Sequence, residues 1–484
     1  MKDKKQNSFR HALKYTGVFG GVQVLNVLIG LIRNKFVALI LGPAGMGLVS
    51  LYNSTSTLMS NLTGMGLSMS GVKRVSESYD EAQNADRLAD TIKLIRSLSV
   101  AAAIFGMVVC ALLSGVLSYA MFGDYSHALS FVMLSPVIGM MAIMTGELAV
   151  MKGVRMLRQL AFSSIFNVVA ALVISVPLFY LYGTDGIIPS FLLLSLSQVI
   201  LTMHYSLKRF PMRISLRKDY LSKGAVIIKL GMAFVLAGVF GSGAEFLIRL
   251  LLNNLGGLDT VGLYNAGYTI TIVYGGLVFS AMETDYFPRL SAVAPDDIVE
   301  QNNVVNRQVE VSLVLLSPML AAFITALPLV LPLLFSSKFN AVLTMTQITV
   351  LAMYMRALKL PLSYMALAKG DPKSFLFLEG MYAVVVFALV GGLFWLFGLT
   401  GTGWALLLTS IVDFFMLTVY TRYRYGYRMS RSVMCAALVQ LPLGALAFVS
   451  SQFLHGVAYW VSGVSITLVS LGISLLILKR KAGR

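Results

Sequence analysis

Gly42-Pro43-Ala44-Gly45-Met46-Gly47-Leu48 interrupts one long apolar run, and Gly257-Leu258-Asp259-Thr260-Val261-Gly262-Leu263 interrupts another, at an offset of 215 in the numbering. A second pair of turns has the same spacing: Leu181-Tyr182-Gly183-Thr184-Asp185-Gly186 and Leu396-Phe397-Gly398-Leu399-Thr400-Gly401. Arg74 falls on Arg289 at 215, and Met151-Lys152-Gly153 matches Ala368-Lys369-Gly370 at 217. One such match is ordinary chance among small residues. Four at nearly one offset, all at turns or helix ends, indicate a duplicated unit.

The segments between these turns set the fold class. A bilayer core of about 30 Å needs about 20 apolar residues in a helix, and fourteen such segments can be read, the first near 15–41 and the last near 458–478. Each repeat holds six. An even number of crossings makes the repeats parallel, related by an axis along the membrane normal. The expected architecture is an all-α polytopic membrane protein of about fourteen transmembrane helices. Residues 1–210 form an N-lobe with helices 1–6, residues 211–425 a C-lobe with helices 7–12, and residues 426–484 carry helices 13 and 14 with a basic tail.

Composition agrees. Of 484 residues, 57% are hydrophobic and 12% charged, about half the charged share of a soluble domain, which excludes a soluble enzyme and also disorder. The net charge of +17 is a topology signal. One set of loops carries 31 Lys and Arg and the other only Lys338, so both termini are expected in the cytoplasm, and no nucleic-acid partner is implied. The basic loop Lys208–Lys223 is explained by attraction to anionic lipid headgroups. Met1–Lys14 is polar and basic, and the apolar stretch after it is too long for a cleaved signal. Cys110 and Cys435 lie in apolar runs, and His11, His127, His204 and His455 are scattered, so no disulfide framework, metal or cofactor is expected. With no phosphate-binding Gly-Lys-Ser/Thr loop, any transport is driven by a gradient, by substrate supply or by a partner.

Function is to be sought in charges placed inside the spans, where each costs several kcal/mol unless it faces a bundle interior or a wet cavity. Six cations and six acids lie there. Lys229, Glu147, Glu283, Asp285 and Glu379 are close enough to a cytoplasmic end to reach water. The deeper set is Arg33, Lys35, Arg249, Arg356 and Lys359 against Glu245 and Asp413. Glu245 and Arg249 are four apart and share a helix face. Arg356 and Lys359 are three apart and share another, with no acid nearby in sequence. Arg33 and Arg249 fall one residue from equivalence at the 215 offset, so each repeat is expected to point an Arg into a shared cleft, with Lys35 the better placed to snorkel. An excess of buried cations suits an anionic substrate, because Arg grips phosphate oxygens bidentately and Lys acts as a point charge. Glu245 and Asp413 are candidates for ion coupling or for charge pairing. The small, polar stretch Asn61–Ser70 is read as a helix-packing surface, and Pro318, Pro328, Pro332 and Pro361 as kinks within helices.

The duplicated six-helix unit, the two additional C-terminal helices, the turn Gly42–Leu48 with Arg33-Asn34-Lys35-Phe36 before it, and Met151-Lys152-Gly153 after the fourth helix resemble the multidrug/oligosaccharidyl-lipid/polysaccharide superfamily. Within it they resemble most the Wzx-type O-antigen flippases, including the lipid III flippase of enterobacterial common antigen. The resemblance implies a substrate, an undecaprenyl-pyrophosphate-linked oligosaccharide moved from the cytoplasmic to the periplasmic leaflet of the bacterial inner membrane. It implies alternating access of two lobes around a cationic cleft, and no bond-breaking chemistry. A polysaccharide polymerase, a chain-length regulator, membrane lipids and a coupling H⁺ or Na⁺ are candidate partners. The alternatives are a drug or cation antiporter of the same superfamily, which the excess of deep cations disfavours, a lipid II flippase, and a non-transporting scaffold of a polysaccharide synthesis complex.

Overall fold

The computed structural model describes residues 2–80, 85–217, 220, 222, 224–294 and 296–482. Lys218, Lys223 and Arg484 of the basic set lie outside the described residues. The described chain is helical, with ten helices long and apolar enough to cross a membrane, and this is a multi-pass membrane protein. Two compact units are formed, Met1–Leu258 and Asp259–Arg484.

Unit 1 contains α1 (Lys2–Thr63), α2 (Leu67–Asp80), α3 (Ala85–Phe122), α4 (Ala128–Gly153), α5 (Leu157–Tyr182), α6 (Ile187–Arg209) and most of α7 (Ala225–Tyr268). Unit 2 contains the end of α7, a π-helical turn at Thr269–Tyr274, α8 (Gly275–Ser291), α9 (Ile298–Leu334), α10 (Leu343–Ala368), α11 (Pro372–Tyr425), α12 (Arg431–Phe453) and α13 (Gly456–Ala482).

Four of the ten apolar stretches run for 43 to 54 residues. At 1.5 Å per residue each is about 65–80 Å long, more than twice the hydrocarbon thickness. Each is broken once, at a glycine that the sequence repeat singles out: Gly42 (φ 65°), Gly183 (φ 57°), Gly257 (φ 77°) and Gly398 (φ 58°). A left-handed residue stops one helical arm, and a second arm starts at once. At the first turn Pro43 follows Gly42, where its missing N–H leaves no intrahelical bond unmade. The repeat also appears at the turn after α4. Arg155 (φ 58°) and Gly370 (φ 64°) are the left-handed residues there, and they share the same offset. The pairing of Gly153 with Gly370 at 217 is therefore shifted by two positions, because in the first repeat the strained position is held by Arg155.

Local departures from the sequence reading have physical causes. The stretch 61–70 is not continuous helix. It breaks at Gly64–Gly66, with Met65 at φ 54° and Gly66 at φ 71°. A Cβ on Gly66 would lie 2.8 Å from the Gly231 Cα, so the backbones of α2 and α7 touch there, in keeping with a packing surface. Asn61 joins the same seam by donating to Gly238 O and Ser242 Oγ. The basic connection after α6 is docked on protein. Ser215 N donates to Ser97 Oγ, and the Tyr220 hydroxyl reaches Asp90. In unit 2, α12 and α13 lie on α9. Tyr459 donates to Thr325 O, Gly463 sits against Thr325, and Gln440 is tied to Ser470 and Ser474.

Candidate functional site

The singled-out charges fall into three separate settings. In unit 1, Arg33 on α1 is half-buried, and its Nε donates to Ser175 Oγ on α5 at 3.0 Å. Lys35, two positions on, is also half-buried. Arg249 on α7 is 6% exposed. Its Nε donates to Ser50 Oγ at 2.8 Å, and its Nη1 lies 3.1 Å from Glu245 Oε2, the expected partner one turn earlier. The Glu245 carboxylate is itself about half exposed, so Arg249 is the buried member of this pair. Arg33 and Arg249 thus make contacts with different helices.

In unit 2 the third setting gathers charges that are far apart in sequence. Arg356 and Lys359 on α10 share a face and line one cavity of about 270 Å³ with Glu379, Tyr382 and Asp413 from the two arms of α11. Lys359 Nζ lies 2.5 Å from Asp413 Oδ2 and 4.7 Å from the centre of the Tyr382 ring. The partner missing from the local sequence comes from the second arm of α11, because that helix folds back at Gly398. The Arg356 guanidinium lies 5.1 Å from the centre of the Phe279 ring and 3.5 Å from Ile272 O in the π-helical turn. No carboxylate among the described residues is within ion-pairing distance of it. Gly276 makes room, since a Cβ there would sit 3.3 Å from the Arg356 guanidinium. A third acid, Glu283, accepts from the Tyr364 hydroxyl at 2.8 Å.

Two charged residues have a role that position along the helix does not reveal. Arg96, read as part of a cytoplasmic loop, lies within α3 at 2% exposure, and Glu147, read as near enough to an end to be solvated, is 3% exposed. They form a bidentate pair, with bonds of 2.8 and 3.2 Å. Arg96 also donates to Phe210 O, Pro211 O and Ser206 Oγ. Five charge-assisted hydrogen bonds satisfy the guanidinium, and the end of α6 is fixed by it. Glu379 is another acid that nearness to a helix end discounts. The fold-back of α11 brings it to Asp413, and reading the Gly398 turn as a hairpin pairs the two arms.

The family of proteins described as polysaccharide biosynthesis protein matches residues 12–294. The chain belongs to that family. It is 24% identical over 396 residues to the lipid III flippases of Escherichia coli (strain K12) and of Shigella flexneri, covering 80% of this chain and 92% of each relative. Among solved structures it resembles the lipid II flippase MurJ in an inward closed conformation, with TM-score 0.74, 12% identity, and 96% of this chain and 99% of that one covered. It also resembles an inward-facing MATE family multidrug resistance transporter, with TM-score 0.67, 13% identity, and 86% and 96% covered. The chain thus shares the fold of these two transporters.

Proposed function

We propose that this protein is a flippase that carries an undecaprenyl-pyrophosphate-linked oligosaccharide from the cytoplasmic to the periplasmic leaflet of a bacterial inner membrane. It acts without breaking a bond. Both termini face the cytoplasm, and the helices of the two repeats expose the substrate alternately to the two sides. Arg33, Lys35, Arg249, Arg356 and Lys359 attract the pyrophosphate. Glu245 and Asp413 pair with these cations or couple transport to H⁺ or Na⁺. A polymerase and a chain-length regulator are the partners that would take up the product.

The observation that carries this reading is Arg356. It lines a cavity inside an apolar bundle, backed by a ring and a carbonyl, with no carboxylate in ion-pairing reach among the described residues. A half-buried guanidinium so placed within a membrane-spanning helix is costly unless an anion visits it, and a diphosphate accepts its bidentate fork. Lys359 supports the site less directly, because Asp413 already neutralises it. The test is reconstitution. Purified protein in liposomes should translocate the lipid-linked oligosaccharide, and Arg356→Ala should abolish this. Liposomes that fail to translocate with correctly inserted wild-type protein overturn the proposal.

A further inference from the structure

Unit 1 holds a cavity of about 490 Å³ between α4, α5 and α6. Eight of its ten lining positions, shifted by the repeat offset of 215, fall on lining positions of the charged cavity of unit 2. The two cavities are therefore the same place in the two repeats, with different chemistry. Where unit 2 has Lys359, Glu379, Tyr382 and Asp413, unit 1 has Met144, Ser164, Asn167 and Gln198. Every charge at these positions is replaced by a neutral group, and three of the four replacements can hydrogen-bond. Lys152, on an exposed part of the lining, is the one charged residue.

The polar groups form two hydrogen-bonded sets. Gln198 Nε2 donates to Asn167 Oδ1, Asn26 Nδ2 donates to Ser164 Oγ at 2.7 Å, and the Thr202 hydroxyl donates back to Gln198 O. Two buried acceptors, Ser163 Oγ and Asn26 Oδ1, have no hydrogen-bond partner among the described residues. The rest of the lining is apolar, from Met144 and Leu148 on α4, Leu160 on α5 and Leu201 on α6. A lining that mixes neutral hydrogen-bonding groups with aliphatic ones suits a ring with hydroxyls on its edge and C–H bonds on its face. The volume lies within the usual range for small-molecule sites, about 300–1,000 Å³.

We infer that the unit 1 cavity binds an uncharged sugar residue of the carried oligosaccharide, while its charged counterpart in unit 2 does not. This rests on the flippase reading for the identity of the ligand. The test uses Leu201→Cys, a lining position outside the hydrogen-bonded sets, with Cys435→Ser to remove the exposed thiol. Protein in lipid nanodiscs is labelled with a maleimide in the presence of the reducing oligosaccharide released by mild acid from the lipid-linked pool of the producing cell, or of inorganic pyrophosphate. The oligosaccharide should slow labelling at least about five-fold and pyrophosphate should not. Adding Met144→Lys with Gln198→Asp, which writes the unit 2 ion pair into unit 1, should abolish the protection. The labelling rate without sugar and the Tm should stay unchanged. Translocation of the native lipid-linked substrate is measured in parallel with the wild-type protein. Translocation without protection overturns the sugar site and leaves the flippase reading. Protection without translocation overturns the flippase reading and leaves the site. Equal protection in the ion-pair variant overturns the assignment to this cavity.

Discussion

Gly183 and Gly398, equivalent positions of the two repeats, have the same left-handed backbone, φ 57° and φ 58°. Gly42 and Gly257 form a second pair at φ 65° and 77°. An added Cβ at any of the four would meet nothing within 4 Å. The requirement for glycine at these turns is therefore conformational rather than steric crowding by neighbours. With ψ between −132° and −170° at Gly42, Gly183 and Gly398 and 177° at Gly257, an L side chain held in that region costs about 1–3 kcal/mol. Gly183→Ala and Gly398→Ala should each lower the Tm of the purified protein in detergent by a few degrees. Gly392→Ala, at a helical glycine with nothing within 4 Å, should leave it unchanged or raise it, because alanine restricts the unfolded chain and favours helix. Equal Tm changes at all three would refute the conformational account.

The buried pair of Arg96 and Glu147 makes a sharper stability prediction. Removing one member of such a pair strands the other charge and costs about 3–5 kcal/mol. Glu147→Gln should therefore lower the yield of folded protein and its Tm markedly. Replacing both, Arg96→Met with Glu147→Leu, removes the stranded charge and should recover much of the Tm. It also removes the donors to Phe210 O and Pro211 O. The double variant should then be cut faster by trypsin in the connection carrying Arg213 and Arg217, although it is folded. A double variant as resistant as wild type would show that Arg96 does not hold this segment.

These two cases show what the sequence makes legible. The turns can be read because glycine is the residue that a left-handed position selects, and duplication printed the same choice twice. The match at Arg155 escapes such a reading because there a residue other than glycine occupies the left-handed position. Arg96 with Glu147, and Lys359 with Asp413, are not legible as pairs. Their members sit on different helices and meet only through packing, which helical periodicity within one segment does not encode. Periodicity places Arg356 and Lys359 on one face correctly, but which acid faces them depends on the fold-back of α11. The neutral cavity of unit 1 carries no charge at the positions that the repeat equates with Lys359, Glu379 and Asp413, and a search for charges in the membrane passes over it. Applying the repeat offset to those three residues finds it.

The start of α11 should respond to pH. Asp371 caps it, accepting from Ser374 Oγ at 2.7 Å and from Ser374 N at 3.1 Å, with the Tyr425 hydroxyl at 3.2 Å and the Arg424 guanidinium at 3.5 Å from the far end of the same helix. The Ser374 bonds, and to a lesser degree Tyr425 and Arg424, hold its carboxyl below the usual carboxylate range. A depressed pKa means that the unfolded state binds a proton first. The stabilisation is complete above the unfolded value, about 3.9, and is lost as the pH falls through the lower folded value. Tm measured from pH 6 to pH 3 should fall less steeply for Asp371→Asn than for wild type below about pH 4. At pH 6 the variant should lie below wild type, by the charge-assisted part of these bonds. Parallel curves would remove Asp371 from the acid response.

The last prediction separates the two cations of the unit 2 cavity. Lys359 is tied to Asp413, so part of its effect is structural. Lys359→Asp and Asp413→Lys should each place like charges together and reduce insertion as well as surface-polysaccharide assembly, and the two combined should restore insertion. Arg356 has no such partner among the described residues, and Phe279 and Ile272 O only back it. Arg356→Ala should therefore insert and melt like wild type while losing polysaccharide assembly at least ten-fold. Arg356→Lys should fall between, because an ammonium keeps the charge but cannot make the bidentate fork. Arg33→Ala and Arg249→Ala test the same idea in unit 1, with one difference. Arg249 is buried against Ser50 and Glu245, so its loss should also lower the Tm, whereas Arg33, half-buried with Ser175, should give a loss of assembly with little change in Tm. If all three alanine variants assemble normal polysaccharide, the buried cations hold the bundle together and the anion site must be sought elsewhere.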